Sequence, residues 1–187
     1  MRKLAVFASG SGSNFEAIAE GCRSGAVTDC EVVLCVCDKP GAFVLERAER
    51  LGVPTFVFNP KEYACKSDFE REIADCMDAL GVELVCLAGY MRIVGEELLG
   101  RYGGRIINIH PALLPSFPGA HAIKDAFEYG VKVYGVTIHN VDATLDGGRI
   151  ISQVAVPYEG DDIDELEAAI HKAEHKLYIE TINKLLA

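Results

Sequence analysis

The feature that most constrains this chain is a repeated order: an apolar run of strand length, a break, then a stretch with helical spacing. Such runs occupy Lys3–Ala8, Glu31–Cys37, Pro54–Phe58, Glu83–Ala88 and Arg105–His110. Helical spacing follows the first four, over about 15–25, 42–51, 67–80 and 96–102. Gly25, Gly52 and Gly81 stand where three of those helices must stop, and Ser67-Asp68-Phe69-Glu70 has the form of a capping box that opens the third. This alternation selects parallel strands joined by right-handed crossovers, with helices on both faces of the sheet. After a helix between Pro118 and Tyr129 the order changes. Residues 131–141 and 149–156 are consecutive strand-like runs separated only by a loop, which predicts an antiparallel pair. Asp162-Ile-Asp-Glu165 then caps a closing helix that runs almost to Ala187. The expected fold is α/β: a Rossmann-like, mostly parallel twisted sheet with helices on both faces and an antiparallel C-terminal strand pair. With 187 residues, half of them apolar, and no repeat or linker, one domain over 1–187 is expected.

The bulk charge narrows the function. A net charge of −10 disfavours nucleic acid and anionic membranes as partners, because both need basic surface. It leaves room for an anionic small substrate held by backbone N–H groups. No run is long and apolar enough to span a membrane, and the first eight residues read as a strand rather than a signal peptide. The seven cysteines are odd in number and lack a C-x-x-C pair, and Cys35, Cys37 and Cys86 fall inside apolar runs. They read as reduced core thiols, and a cytoplasmic location is expected.

Three places carry polar residues suited to chemistry. Ser9-Gly-Ser-Gly-Ser-Asn14 links the first strand to the first helix, either as an anion-binding loop or as a tight turn. It lacks the third glycine of a dinucleotide fingerprint and the lysine of a Walker loop. Asp38 lies near the distance for a ribose-binding acid, and equally reads as a turn residue before Lys39-Pro40-Gly41. Asn108 and His110, one residue apart at the end of an apolar run, point to the same face of a strand. They are either ordinary strand-end polar groups or the floor of a site at the carboxyl end of a parallel sheet. Asp146, in Leu145-Asp-Gly-Gly148, is by itself a turn residue. If it folds back across 36 positions to His110, its carboxylate favours the imidazolium form. Amide, imidazolium and carboxylate together suit stabilisation of an oxyanion in acyl transfer. No G-x-S-x-G elbow surrounds Ser116, so no nucleophilic side chain is needed. His171 and His175 are four apart without an H-E-x-x-H pattern, and His121 and His139 add no ligand set, so no metal is expected.

Four segments taken together, Ser9–Asn14, Leu87–Ile93, Ile107–Gly119 and Leu145–Gly148, resemble the folate-dependent formyltransferase family. The resemblance runs from Leu4 to the last helix. It implies transfer of the formyl group of 10-formyltetrahydrofolate, the co-substrate, to the amine of 5-phosphoribosylglycinamide in purine biosynthesis. It implies Asn108, His110 and Asp146 as the catalytic set. It implies Gly12, Ser13 and Asn14 at the substrate phosphate and Glu174 at the ribose. Met91, Arg92, Ile93 and Val94 match the segment that lines the folate pocket, and Lys66 matches a basic position beside it. Leu114–Pro115 matches a cis bond. The partners implied are two small molecules, with the chain acting as monomer or homodimer. The implied division of labour is a phosphate-binding half over about 1–100 and a folate and catalytic half over about 101–187. Asn140 and Ala143 depart from the family pattern beside the expected folate loop. Other formyltransferases, a formyl-folate hydrolase and a folate- or nucleotide-binding module remain as alternatives. The first two usually carry further domains.

Overall fold

Strand β1 (Arg2–Ala8) is an interior strand of the structure, a computed structural model that describes residues 1–187. Its residues Leu4 to Ala8 are fully buried, as expected of a strand covered on both faces. Their alternation divides the core. Leu4, Val6 and Ala8 join one apolar cluster, and Ala5 and Phe7 join another on the opposite side. Helices α1 (Ser13–Ser24), α2 (Phe43–Arg50) and α6 (Ile163–Leu186) cover the first face. Helices α3 (Lys66–Leu80) and α4 (Glu96–Tyr102) cover the second.

Seven strands form one sheet in the order β3-β2-β1-β4-β5-β6-β7. Strands β2 (Cys30–Cys37), β3 (Thr55–Val57), β4 (Leu84–Leu87) and β5 (Ile106–His110) run parallel to β1. Strands β6 (Val133–Asn140) and β7 (Ile150–Pro157) are antiparallel, after a short helix α5 (Ala122–Tyr129). This is the expected Rossmann-like α/β sheet with its antiparallel C-terminal pair. The chain moves outward from β1 to β3, then returns to place β4 on the other side of β1. The connections after β1 and β4 therefore leave toward opposite faces, and a crevice opens between them at the carboxyl ends of the strands.

Strand parity also places Asn108 and His110. Ile107 and Ile109 pack into the cluster under α1 and α6, and Ile106 packs into the other. Asn108 and His110 share the side of Ile106, the same-face arrangement that their spacing predicts.

One local expectation fails. Ser67–Glu70 does not form a capping box. Helix α3 begins at Lys66 after an extended Cys65, with no side-chain cap. The Glu70 carboxylate instead accepts the Gly95 N–H at 2.6 Å. Glu70 is 2% exposed, and a buried carboxylate is drawn to the donors within its own low-dielectric surroundings, here Gly95 and Lys66. At the other end of the chain Asp162 does cap α6, accepting from Asp164 N at 2.9 Å and Glu165 N at 3.4 Å. All seven cysteines are free, and burial pushes the Cys35 thiol up to about 12, which keeps it protonated. No helix is long and apolar enough to cross a membrane.

Tyr178 ties α6 to the middle of the sheet. Its fully buried hydroxyl donates to the Leu87 carbonyl at 2.8 Å, with the Ile107 carbonyl 3.4 Å away. Tyr178→Phe removes the donor without changing the packed ring. We expect it to lower the free energy of urea unfolding by about 1 kcal/mol at unchanged slope. An unchanged midpoint would show that the tether contributes nothing to stability.

Candidate active site

The crevice predicted by the strand order is a cleft of about 550 Å³. The loop Ser9–Asn14 forms one end, Asn108 and His110 the floor, and Met91–Val94 with Val141, Asp142 and Thr144–Asp146 the other end. No three His, Cys, Asp or Glu side chains converge as a metal-ligand set.

Each polar group on the floor is fixed by its neighbours. The pairing of β5 with β6 sets Asn108 opposite His139, and the Asn108 amide nitrogen lies 3.2 Å from His139 Nε2. His139 Nδ1 lies 2.8 Å from the Asn140 carbonyl, which can only accept. His139 therefore carries its proton on Nδ1 and offers Nε2 to the Asn108 amide. His110 is the reverse case. Its Nε2 donates to the Phe117 carbonyl at 2.7 Å, and its Nδ1 faces Asp146 Oδ2 at 3.6 Å. Both nitrogens thus face oxygen atoms, one within hydrogen-bond distance and the carboxylate just beyond it. Asp146 is held in turn by the Gly119 N–H, 2.8 Å from Oδ2, and its Oδ1 lies 3.8 Å from His139 Nε2. The carboxylate does fold back across the chain and stands between the two imidazoles.

The backbone around this group is drawn tight. Asp146 and Phe117 have φ near 50° and 52°, in the left-handed region that non-glycine residues seldom adopt. Both touch His110, the first through its side chain and the second through its carbonyl. Beyond β5, the Thr137 hydroxyl donates to the Ala112 carbonyl at 2.7 Å and accepts from the Leu114 N–H at 3.1 Å. Gln153 donates to Thr137 and to the Leu114 carbonyl, so β6 and β7 grip the loop that follows His110. The Leu114–Pro115 bond is cis, as the family resemblance implies.

At the other end, Gly12 has φ 77°, and a Cβ there would come within 2.6 Å of Val44 Cβ. Only glycine lets the loop pass α2 and deliver the N-terminal N–H groups of α1 to the cleft. Asn14 donates to Glu174 at 3.3 Å, while its own buried Oδ1 has no partner in the protein. Glu174 also accepts from His171 Nδ1 at 2.8 Å, and this bond raises the His171 pKa against the lowering effect of burial.

Three sequence expectations need correction or resolution. Lys66 does not line the cleft. Its ammonium bonds the Ile93 carbonyl from behind and lies 3.9 Å from Glu70, because α3 sits beneath Met91–Val94. Asp38 is neither a ribose acid nor a free turn residue. Its carboxylate is 2% exposed and accepts from Arg92 Nε at 2.7 Å. Asn140 lines a separate cleft with Arg2 and Glu83, away from the main site, because the end of β6 pairs with the start of β5. Sequence reasoning also passed over three cleft residues, His139, His171 and Lys39. Only a strand register would have singled out His139. The i, i+3 spacing of His171 and Glu174 on a helix was a usable signal for that pair.

A doubly wound sheet with an amide, two imidazoles and a carboxylate at the carboxyl ends of its strands, and a Gly/Ser loop leading into α1 beside them, is an arrangement suited to acyl transfer. Residues 2–182 match the formyl transferase family, and the chain belongs to that family. Within it the chain is similar to phosphoribosylglycinamide formyltransferases. The protein of that name from Bacillus subtilis (strain 168) is 51% identical over 187 residues, all of this chain and 95% of the relative. The trifunctional purine biosynthetic protein adenosine-3 of Drosophila melanogaster is 42% identical over 93% of this chain, which corresponds to 13% of that longer protein. The crystal structure of phosphoribosylglycinamide formyltransferase from Streptococcus pneumoniae TIGR4 superposes with a TM-score of 0.93 at 50% identity, covering all of both chains.

Proposed function

We propose that this chain transfers the formyl group of 10-formyltetrahydrofolate to the amine of 5-phosphoribosylglycinamide, with Asn108, His110 and Asp146 as its catalytic residues. The observation that carries this reading is the convergence of those three side chains in the cleft that also holds the Ser9–Asn14 loop. Attack of the glycinamide amine on the formyl carbon creates an oxyanion. The Asn108 amide donates to it through the N–H that His139 leaves free, the charge of a His110 imidazolium stabilises it from nearby, and Asp146 favours that charge. A neighbouring water relays the amine proton to the departing folate nitrogen, with His110 as the acid that can exchange it.

The binding residues follow the shape of the cleft. Gly12, Ser13 and Asn14 receive the phosphate on backbone N–H groups, which explains an anionic substrate on a protein of net charge −10. Glu174, already aligned by Asn14 and His171, accepts from the ribose hydroxyls. Met91 and Ile93, 64% and 60% exposed, offer apolar surface to the folate ring system, with Arg92 and Val94 beside them. Lys66 contributes by holding the Ile93 carbonyl. The phosphate loop belongs to about 1–100 and the catalytic set to about 101–187, but Met91–Val94 and Glu174 cross that division, so neither half holds a whole substrate.

The test is an absorbance assay with a 10-formyl folate analogue, with and without phosphoribosylglycinamide. Folate release that depends on the amine is the expected result. Release that ignores the amine would make the chain a hydrolase, and no release at all would make it a binding module.

A further inference from the structure

The segment Gly89–Gly95 forms one wall of the cleft, yet it contains no regular secondary structure. Irregular chain with two exposed apolar side chains, Met91 and Ile93, needs an outside constraint to present one shape to a ligand. The constraint is applied at both ends. At the first end, the Ser9 N–H donates to the Gly89 carbonyl at 3.0 Å, and the Met91 N–H donates to the Ser9 hydroxyl at 2.9 Å. Arg92 Nε donates to Asp38 at 2.7 Å. At the far end, the Gly95 N–H donates to Glu70 at 2.6 Å, and the Lys66 ammonium bonds the Ile93 carbonyl. The fit there leaves no slack, because a Cβ on Gly95 would lie 2.7 Å from Glu70 Oε2 and 2.9 Å from Lys66 Cε.

Two of these anchors are carboxylates with side chains only 2% and 3% exposed, one just past the end of β2 and one from α3. Neither lines the cleft. Asp38 uses a single oxygen, and its buried Oδ1 has no partner. Buried acids so sparsely compensated are a poor means of stabilising a fold, since apolar residues of similar size serve that end as well or better. What the two have in common is the segment they hold.

We propose that Asp38 and Glu70 are positioning residues that clamp the two ends of Gly89–Gly95 and thereby set affinity for the formyl-folate donor. This rests on the reading of the segment as the folate-side wall. Asp38 acts through Arg92, and Glu70 acts through the Gly95 N–H together with Lys66. Neither touches the reacting atoms, so their loss separates the two substrates: the donor is bound less well, while the amine substrate, held at the other end, is not.

The test compares Asp38→Ala, Asp38→Asn, Glu70→Gln and wild type by steady-state kinetics with each substrate varied in turn. It adds direct titration of a 10-formyl folate analogue in the absence of the amine. In Asp38→Ala the donor KM and the analogue Kd are expected to rise about tenfold, the scale of one lost charge-assisted hydrogen bond. The same variant is expected to hold kcat and the amine KM within about twofold. Asp38→Asn keeps an acceptor for Arg92 and is expected to recover part of the loss. Glu70→Gln keeps the shape while the Gly95 bond weakens, and gives the same pattern more mildly. Unchanged donor KM and Kd in all three variants would overturn the proposal. So would an equal loss for both substrates, which is the mark of a merely structural role. A wild-type protein that neither binds the analogue nor turns it over overturns the functional reading itself, an outcome distinct from both.

Discussion

Asp146→Asn is expected to cut kcat about a hundred- to a thousandfold while leaving KM for both substrates and the unfolding midpoint nearly unchanged. The substitution preserves shape, and the amide oxygen can still accept the Gly119 N–H that Asp146 Oδ2 accepts at 2.8 Å. That same oxygen stands 3.6 Å from His110 Nδ1, so the amide keeps both contacts and loses only the negative charge. The amide nitrogen takes the place of Oδ1, 3.8 Å from His139 Nε2. Without a carboxylate beside it, the imidazolium form of His110 is no longer favoured. On the proposed mechanism the variant thus retains the shape of the site and loses the charge that favours an oxyanion-stabilising His110. His139 does not take over, because its Nδ1 proton is committed to the Asn140 carbonyl and its Nε2 receives the Asn108 amide. The readout is kcat by folate absorbance, with thermal unfolding as the folding control. Wild-type turnover in a folded Asp146→Asn protein removes Asp146 from the mechanism.

What the sequence made legible follows from period and punctuation. The apolar runs and helix stops define the parallel sheet, and the single residue between Asn108 and His110 puts both on one face before any coordinates are seen. What stayed hidden depends on distances between strands. His139 enters the site only because the β5–β6 register sets it against Asn108, and register is a property of the assembled pair. The return of Asp146 to His110 needs a loop whose course depends on Gly119 and Gly148, contacts that spacing alone does not reveal. Glu70 misled for the same reason. Its local pattern matched a helix cap, but the folded chain brings residue 95 over it, and the tertiary donor outcompetes the local one. Asp38 was open between ribose and turn until Arg92 was seen to occupy it.

The loop that carries Asp146 also makes Gly148→Ala the most disruptive single-methyl change in the site. Gly148 lies where the chain returns to β7, one residue before Arg149, whose carbonyl accepts the Asn140 N–H at 2.9 Å. A Cβ at Gly148 would fall on the Asn140 carbonyl oxygen, 2.8 Å from its carbon and 3.5 Å from His139 Nδ1. Neither neighbour can yield cheaply. The Asn140 carbonyl is part of the backbone at the end of β6 and is also the acceptor that fixes the tautomer of His139. Relief must therefore come from the loop, which swings outward and takes Asp146 from His110 and from the Gly119 N–H. Overpacking of this kind costs about 1–3 kcal/mol or more in unfolding free energy. The activity loss is expected to be at least as large as that of Asp146→Asn, about a hundredfold or more, since the same carboxylate is withdrawn and the His139–Asn108 contact is disturbed with it. Gly147→Ala separates the two effects, because its Cβ would meet mainly the side chain of Thr144, which can rotate away. Chemical unfolding and kcat measured on both variants decide the matter. Gly148→Ala with wild-type stability and turnover would show that the second glycine of Leu145-Asp-Gly-Gly148 has no part in delivering the carboxylate.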